Sequence, residues 1–129
     1  MRELKFRAWD RIRERMSCPF YIQDITIMNC TVVFREAINL WFNLNSVDCE
    51  IMQYTGLHDK NGKEIYEGDI VLNQWGEEWQ VIFDNNLLMY SLKYNESKRP
   101  LYQATQNHDW RLEIIGNIWE NPELLEDEK

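Results

Sequence analysis

The sequence predicts a mainly β protein of antiparallel strands, with an SH3-like small barrel or meander, an N-terminal strand region and short helices. Apolar and polar residues alternate with a period of two in several short runs, beginning with Leu4, Phe6 and Ala8, and this pattern is typical of half-buried strands. Turn residues separate the runs at short intervals, and such short connections join antiparallel neighbours. The third observation is the segment 53–71, which combines two turn signals with the start of a strand.

The segment 53–71 holds the strongest local signals. Asn61 and Gly62 predict a hairpin tip, because a tight turn needs positive φ angles and these two residue types tolerate them at least cost. Gly68, followed by Asp69, predicts a second reversal, after which β-branched residues resume an extended run. By analogy between folds, such a loop is expected before the first long strand of a small SH3-like barrel.

The N-terminal part of the chain predicts several short strands. A first strand is expected over 4–9, and the segment 11–15 that follows fits either a hairpin loop or a short helical turn. β-branched and aromatic residues predict strands over 21–27 and 31–34, with Asn29 as the turn residue between them.

The segment 35–42 is ambiguous, because its apolar residues fit two spacings. Positions 34, 38, 41 and 42 fit a helix, whereas Leu40 and Phe42 also fit the alternation of a strand. We predict a short helix here, followed by a loop over 43–46 and a strand that starts at Val47.

A β-meander is predicted from residue 70 onward. Its expected parts are, in order, a strand over 70–73, a turn at 75–77, a strand over 79–83, a turn at 84–86 and a strand over 87–94. We then expect a polar loop over 95–100, a strand fragment over 101–104 and a last strand over 112–119 that breaks at 116–117. Asn121 is a good helix N-cap and Pro122 suits the first helical position, so a short terminal helix is predicted.

Three stretches of the chain carry a family resemblance. The stretch 54–71 reads YTGLHDKNGKEIYEGDIV, the chain opens with RELKFRAWD over 2–10, and IGNIWENPELL stands at 115–125. Together they resemble the motifs of the YopX family, small proteins of bacteriophages and prophages. The resemblance implies a mostly β fold, a phage or prophage origin and a bacterial cytoplasm, and it implies no biochemical activity. The segments 12–49 and 75–112 show nothing family-wide.

Length and composition predict one globular domain of ordinary size, or two regions that share a core. The chain has 129 residues, of which 44% are hydrophobic. If it divides, the expected regions are 1–52, an N-terminal strand and helix region, and 53–129, an SH3-like barrel region with a short C-terminal helix. No apolar run is long enough to predict a membrane span, and no membrane partner is expected. The charged amino terminus and the odd number of cysteines predict reduced thiols in a cytoplasm.

Charge is unevenly distributed along the chain. Residues 1–35 carry seven basic and four acidic side chains, whereas 36–129 carry seven basic and eighteen acidic ones, which gives the net charge of −8. An acidic body is a poor match for phosphate backbones, so nucleic acid is not the favoured partner. The basic residues Arg11, Arg13 and Arg15 offer an alternative route to nucleic-acid binding; their other interpretation is a solvated loop balanced by neighbouring carboxylates.

The sequence predicts neither a metal site nor a catalytic site. Asp59 and Asn61 have the spacing of calcium-loop ligands, but Glu64 and Ile70 stand where that loop needs Gly and Glu. Cysteines at 18, 30 and 49 and histidines at 58 and 108 include no local pair of zinc ligands. The chain has no nucleophile elbow and no Gly-rich phosphate loop. We therefore expect no metal, no cofactor and no enzymatic activity.

Tyr54, Tyr66 and Trp75 are the candidate binding residues, because they fall in or beside loops expected to rim one end of the barrel. Rings at such positions also serve as core packing. The favoured function is a non-catalytic protein-binding module, a phage or prophage accessory protein that binds a host or phage protein. The alternatives are nucleic-acid binding through the basic region and rim aromatics, and acidic mimicry of nucleic acid that inhibits a host enzyme. The opposite charges of the two regions also predict a homo-oligomer.

Overall fold

The computed structural model describes residues 4–28, 31–37, 40–44, 48–106 and 110–126 of the chain. In chain order, the strands of these residues are β1 (Lys5–Asp10), β2 (Arg15–Met16), β3 (Phe20–Tyr21), β4 (Ile25–Met28), β5 (Thr31–Ala37), β6 (Leu40–Asn43), β7 (Cys49–His58), β8 (Glu64–Tyr66), β9 (Asp69–Leu72), β10 (Glu78–Asp84), β11 (Met89–Tyr94), β12 (Ser97–Pro100) and β13 (Glu113–Asn117). The helical segments are a 3-10 helix over Ile22–Asp24, α1 (Leu101–Gln106) and α2 (Glu123–Glu126).

This architecture confirms the predicted fold class, a mainly β protein of antiparallel strands with a few short helices. One of its sheets curls into a half-barrel. The chain divides into two compact units, Met1–Tyr54 and Thr55–Lys129. Within the described residues, every helix is too short or too polar to span a bilayer.

β1 is an inner strand of one of the sheets to which the first unit contributes; β4, β5 and β6 form a separate sheet. β1 pairs with β2 and β3 along one edge, where Phe6 lies opposite Phe20, and with the beginning of β7 along the other. Ala8 is fully buried and packs with Phe20 and Leu44. The strand predicted over 4–9 is therefore confirmed, and its alternation reflects the packing of Phe6 and Ala8 against this core.

The short helix predicted over 35–42 is wrong. β5 and β6 form a hairpin there, with Phe34 opposite Phe42 and Arg35 opposite Trp41. These residues form strands because β5 begins with β-branched residues, which favour strands, and because it pairs with β4 on one side and β6 on the other. A helix of this length has no comparable source of stability, since short helices are marginal in water without tertiary packing.

The strand predicted over 21–27 is interrupted. The Asp24 Oδ2 atom accepts a hydrogen bond from the Tyr21 backbone N–H at 2.9 Å, which helps to close the 3-10 turn between β3 and β4. The strand predicted over 31–34 is confirmed within β5. The turn predicted at Asn29 lies outside the described residues, as do Val47 and part of the loop predicted over 43–46.

A five-stranded antiparallel sheet in the order β12-β11-β10-β9-β13 forms much of the second unit. Its central strands confirm the meander predicted from residue 70. The fully buried residues Ile65, Val71, Val81 and Leu92 lie in one core cluster beneath this sheet and β8. Burial of such β-branched and leucine side chains is the main favourable term in folding.

The polar loop predicted over 95–100 is wrong, because β12 occupies most of it. Asn95 takes a positive φ of 53°, which Asn tolerates better than most residues, and so closes a tight turn. Tyr94 and Ser97 then pair across the hairpin. The chain consequently gains one strand that its polar composition did not indicate.

The strand fragment predicted over 101–104 is also wrong, because α1 begins there. Leu101 and Ala104 lie about one helical turn apart, and both are buried. The last predicted strand is β13, which ends at Asn117, and its irregular register lies between Ile114 and Gly116 instead of at the predicted break over 116–117. The predicted terminal helix is α2.

The hairpin tip between β7 and β8 is a type I turn followed by a glycine bulge. Gly62 has a φ of +82°, and its N–H donates to the Asp59 carbonyl at 3.0 Å. The Asp59 N–H donates to the Lys63 carbonyl at 2.8 Å. The Asp59 Oδ1 atom accepts the N–H groups of Asn61 and Lys63, both at 2.9 Å. Asn61 does not have the positive φ that the sequence predicted, so Gly62 is the one residue of this turn that needs the glycine conformation.

The second reversal of this segment lies at Gly68, whose φ is +92°. Its N–H donates to the Val81 carbonyl and its carbonyl accepts the Ile118 N–H, both at 2.9 Å. Asp69 is 2% exposed, and its Oδ2 atom accepts the Tyr66 N–H at 2.7 Å. These bonds hold the reversal at Gly68 and so fix where β9 begins.

Candidate functional site

Four aromatic side chains of the second unit form a continuous cluster. The ring centroids of Trp79 and Trp110 lie 5.3 Å apart, as do those of Trp79 and Tyr94. Trp75 meets Trp110 edge to face, with centroids 5.7 Å apart and ring planes at 82°. These separations are those of favourable aromatic pairs. The cluster runs from a buried ring at Trp79, 4% exposed, to a surface ring at Trp75, 63% exposed.

The loop between β9 and β10 holds Trp75 at the surface. The Asn73 Oδ1 atom accepts the N–H of Trp75 at 3.1 Å and that of Glu77 at 2.9 Å, and the Asn73 Nδ2 atom donates to Glu77 Oε1 at 2.7 Å. Gly76 supplies the positive φ, +81°, that the loop requires. Since Asn73 is buried, the exposed indole projects from a loop that is tied to the interior.

Trp110 is brought to Trp75 by a hydrogen bond between their neighbours in the chain. The Arg111 N–H donates to the Gln74 side-chain Oε1 at 2.9 Å. Leu112, the next residue, belongs to the buried core. The segment that carries Trp110 is therefore anchored beside the loop that carries Trp75.

The aromatic cluster lines a groove of about 680 Å³, which we call the aromatic groove. Its volume lies in the range of ordinary ligand sites, and ligand sites combine apolar faces with a few polar groups. The remaining lining residues come from the β9–β10 loop, β12 and α1, and they are Glu77, Ser97, Lys98, Arg99, Pro100 and Gln103.

The charged groups of the aromatic groove differ in how they are paired. The Lys98 Nζ atom lies 3.5 Å from the Asp84 Oδ2 atom, and the Glu77 carboxylate is held by the loop amide described above. Arg99 instead stacks on an aromatic ring, with its guanidinium carbon 5.2 Å from the Trp110 ring centroid. Among the residues that the structure describes, no carboxylate pairs with Arg99.

Of the three aromatic residues predicted for a binding rim, Trp75 alone lines the aromatic groove. Tyr54 and Tyr66 are buried, each 4% exposed. The Tyr66 hydroxyl donates to Glu64 Oε1 at 3.2 Å, and the Lys5 Nζ atom lies 5.4 Å from the Tyr54 ring centroid. Both tyrosines therefore occupy packing positions, which was the other interpretation of their place in the sequence.

The basic residues Arg11, Arg13 and Arg15 lie in and beside the hairpin that joins β1 to β2. The Arg11 guanidinium pairs with the Glu50 carboxylate, and the Arg13 Nη1 atom lies 3.0 Å from Asp10 Oδ2. Arg15 lies opposite Asp10 in the strand register. Carboxylates of the same unit thus balance much of this cluster.

Cys49 borders a cavity of about 230 Å³ in the first unit. Burial, followed by the charges of Asp10 and Glu50, raises the pKa of the Cys49 thiol to about 11. A thiol with this pKa is protonated at neutral pH and is a weak nucleophile. The described part of the chain, which does not include Cys30 or His108, contains no group of three or more His, Cys, Asp or Glu side chains that could hold a metal ion.

Sequence reasoning identifies Trp75 and misses Tyr94, Arg99 and Trp110 as partners in the same site. Tyr94 and Arg99 lie on the two strands of a hairpin whose second strand the sequence does not predict. Trp110 follows a segment without periodicity, so no local signal indicates its contact with Trp75. The signal that could have indicated the loop around Trp75 is the spacing of Asn73 and Gly76, which is the same as that of Asp59 and Gly62 in the predicted hairpin tip.

The fold and the site define a small, mainly antiparallel β protein with an aromatic groove on its second unit. The sequence model of one protein family, described as YopX protein, matches residues 5–126. The chain therefore belongs to the YopX family, which confirms the resemblance of its motifs. Among curated proteins, none matches the chain.

Two solved structures are similar to this chain over almost its whole length. Protein EF1440 from Enterococcus faecalis is 24% identical, with a TM-score of 0.63, and the match covers 97% of this chain and 99% of that one. Protein yopX from Bacillus subtilis is 19% identical, with a TM-score of 0.59 and coverage of 94% and 97%. At these identities the likeness concerns the fold alone.

Proposed function

We propose that the protein is a non-catalytic module that binds another protein, and that the aromatic groove is the binding site. The supporting observation is the exposed Trp75, held on a fixed loop and backed by the rings of Trp79 and Trp110. Aromatic grooves of this kind dock extended, proline-containing segments, because a polyproline helix is already formed and loses little entropy on binding.

The proposed setting is that of a phage or prophage accessory protein in a bacterial cytoplasm, with a host or phage protein as its partner. The support for this setting is the resemblance of the chain's motifs to those of small phage and prophage proteins. The proposal assigns no catalytic role. The raised pKa of the Cys49 thiol is the opposite of what an activated nucleophile requires.

Nucleic-acid binding through the basic residues is less well supported. Arg11 and Arg13 both have carboxylate partners within their own unit, in Glu50 and Asp10. A phosphate backbone would have to compete with these pairs, and its affinity would fall steeply with salt.

Selection from a displayed library of random peptides tests the proposed function. The wild-type protein and the Trp75→Ala variant are used in parallel, and the affinities of recovered peptides are measured for both by fluorescence anisotropy. We expect at least about a tenfold loss of affinity in Trp75→Ala, because an exposed tryptophan at the centre of a site is a typical hot spot. Leu88→Ala is the matched control, since Leu88 is equally apolar, 75% exposed and outside the groove. Peptides whose affinity is indifferent to Trp75→Ala would contradict the proposal.

The expected homo-oligomer is a separate proposal, supported by the opposite charges of residues 1–35 and 36–129. Truncation of the amino terminus would be a poor probe, because it removes β1 and with it the buried Ala8. Light scattering coupled to gel filtration at low and moderate salt is the appropriate measurement. A mass above that of one chain at both salt concentrations is the expected result, and a monomer in low salt would contradict it.

A further inference from the structure

We infer that the ligand of the aromatic groove is an acidic, extended peptide segment, in which a carboxylate binds Arg99 while apolar side chains, proline among them, pack on Trp75 and Trp110. The inference rests on the proposed function and adds the chemical class of the ligand.

The position of Arg99 allows its guanidinium to bind a carboxylate of a ligand. Arg99 lies exposed on β12, and the stacking of its guanidinium on Trp110 restricts the orientation of the group. A guanidinium held in this way can still direct two parallel N–H groups at one carboxylate. Because no described carboxylate pairs with Arg99, a ligand would gain this interaction without displacing an internal ion pair.

The other polar groups of the groove also favour a ligand rich in acceptors. Lys98 adds a second positive charge on the same strand, 3.5 Å from Asp84. The carboxylate of Glu77 is already held by the Asn73 side-chain amide. Peptide carbonyls and an acidic side chain complement these donors.

A single-stranded nucleic acid would also stack on the rings and approach Arg99. It is the less suitable occupant, because a phosphate backbone requires several cations along its path. Residues 36–129, which include the groove, carry seven basic and eighteen acidic side chains. One side-chain carboxylate, in contrast, needs only one guanidinium.

The test compares the peptides that wild type, Arg99→Gln and Arg99→Lys recover from the random library. We expect Asp and Glu next to proline or apolar residues among the wild-type peptides, and loss of this enrichment in Arg99→Gln. When each Asp or Glu of one recovered peptide is replaced by Asn or Gln, affinity for wild type should fall at least about tenfold, whereas Arg99→Gln should bind both forms equally. Arg99→Lys should restore part of the preference, because it keeps the charge and loses the planar fork.

Lys93→Gln is the control for removing one positive charge, since Lys93 is exposed on β11 and outside the groove. Equal affinities of the acidic and amide peptides for wild type would overturn the inference, and a loss of binding in Trp75→Ala would then leave the proposed function standing. Peptides that bind independently of both Trp75 and Arg99 would overturn both. Tighter, Arg99-dependent binding of a single-stranded oligothymidylate than of any recovered peptide would also overturn the inference.

Discussion

The Oδ1 atoms of Asp59 and Asn73 accept hydrogen bonds from equivalent pairs of backbone N–H groups in two hairpins of the second unit. Each atom binds the amides two and four residues further along the chain, at distances between 2.9 and 3.1 Å. The glycine that follows has a φ of +82° in the first loop and +81° in the second. The equivalent middle position is Asn61 in one loop and Trp75 in the other, so one loop geometry presents either a polar side chain or the surface ring of the aromatic groove.

Asn73→Ala should lower the free energy of unfolding by about 1–3 kcal/mol, because two partly buried backbone amides of the loop lose their acceptor. Asn61→Ala is the control, since Asn61 is exposed in the equivalent loop and its side chain is not the group that holds the turn. Urea unfolding of both variants measures the difference. Equal costs would show that the Asn73 side chain does not support the loop.

Gly62→Val should cost about 1–3 kcal/mol, because a β-branched residue is strained at a φ of +82°. A Cβ atom added at Gly62 meets nothing within 4 Å, so the expected cost comes from the backbone conformation. Lys63→Val, at the exposed next position, serves as the control. A thermal melt of Gly62→Val that matches the wild type would contradict the assigned turn.

Leu88→Asn should stabilise the protein. Leu88 has a φ of +52° in the loop between β10 and β11, and it is 75% exposed. Replacement by Asn should relieve roughly 1 kcal/mol of left-handed strain with little loss of packing. Leu87→Asn is the matched control, since Leu87 is exposed in the same loop without a positive φ. A melting temperature that rises equally in both variants would point to a surface effect instead.

Asp84 should make stability depend on pH in the acid range. The hydrogen bond from the Asn86 N–H lowers the pKa of the Asp84 carboxyl below its usual 3.8. Burial opposes this effect, but the Leu87 N–H and the Lys98 ammonium add to it, and the pKa stays lowered. A carboxyl with a lowered folded pKa contributes its full stability above the unfolded value and loses it as the pH falls through the folded value.

The stability difference between wild type and Asp84→Asn should therefore be constant near neutral pH and shrink below about pH 3.8. Urea unfolding of both proteins across this range gives the difference directly. A difference that does not change on acidification would refute the assigned shift.

The parts of the fold that could be predicted from the sequence depend on local signals. Gly62 and Gly68 mark reversals because their conformation is costly for other residues, and the meander follows from short connections. The errors concern segments whose structure is decided by distant partners. The residues 35–42 are strand because β5 pairs with them, and β12 exists because Asn95 closes a turn against β11.

Of the aromatic groove, only Trp75 could be predicted from the sequence, because only Trp75 has a local signal beside it. Trp75 stands beside a recognisable turn glycine, so its exposure has a local cause. The approach of Trp110 depends on a hydrogen bond from Arg111 to Gln74, which joins segments far apart in sequence. The stacking of Arg99 on Trp110 depends in turn on β12. A single sequence has no period or spacing that encodes such contacts.

The most direct test of the aromatic groove is two-dimensional proton–nitrogen NMR of the indole N–H resonances during titration with a recovered acidic peptide. Binding in the groove should shift the resonances of Trp75, Trp79 and Trp110, whose rings line it. The resonances of Trp9 and Trp119, which do not line the groove, should stay unchanged. Shifts confined to Trp9 or Trp119, with Trp75 unchanged at saturating peptide, would contradict the proposed site.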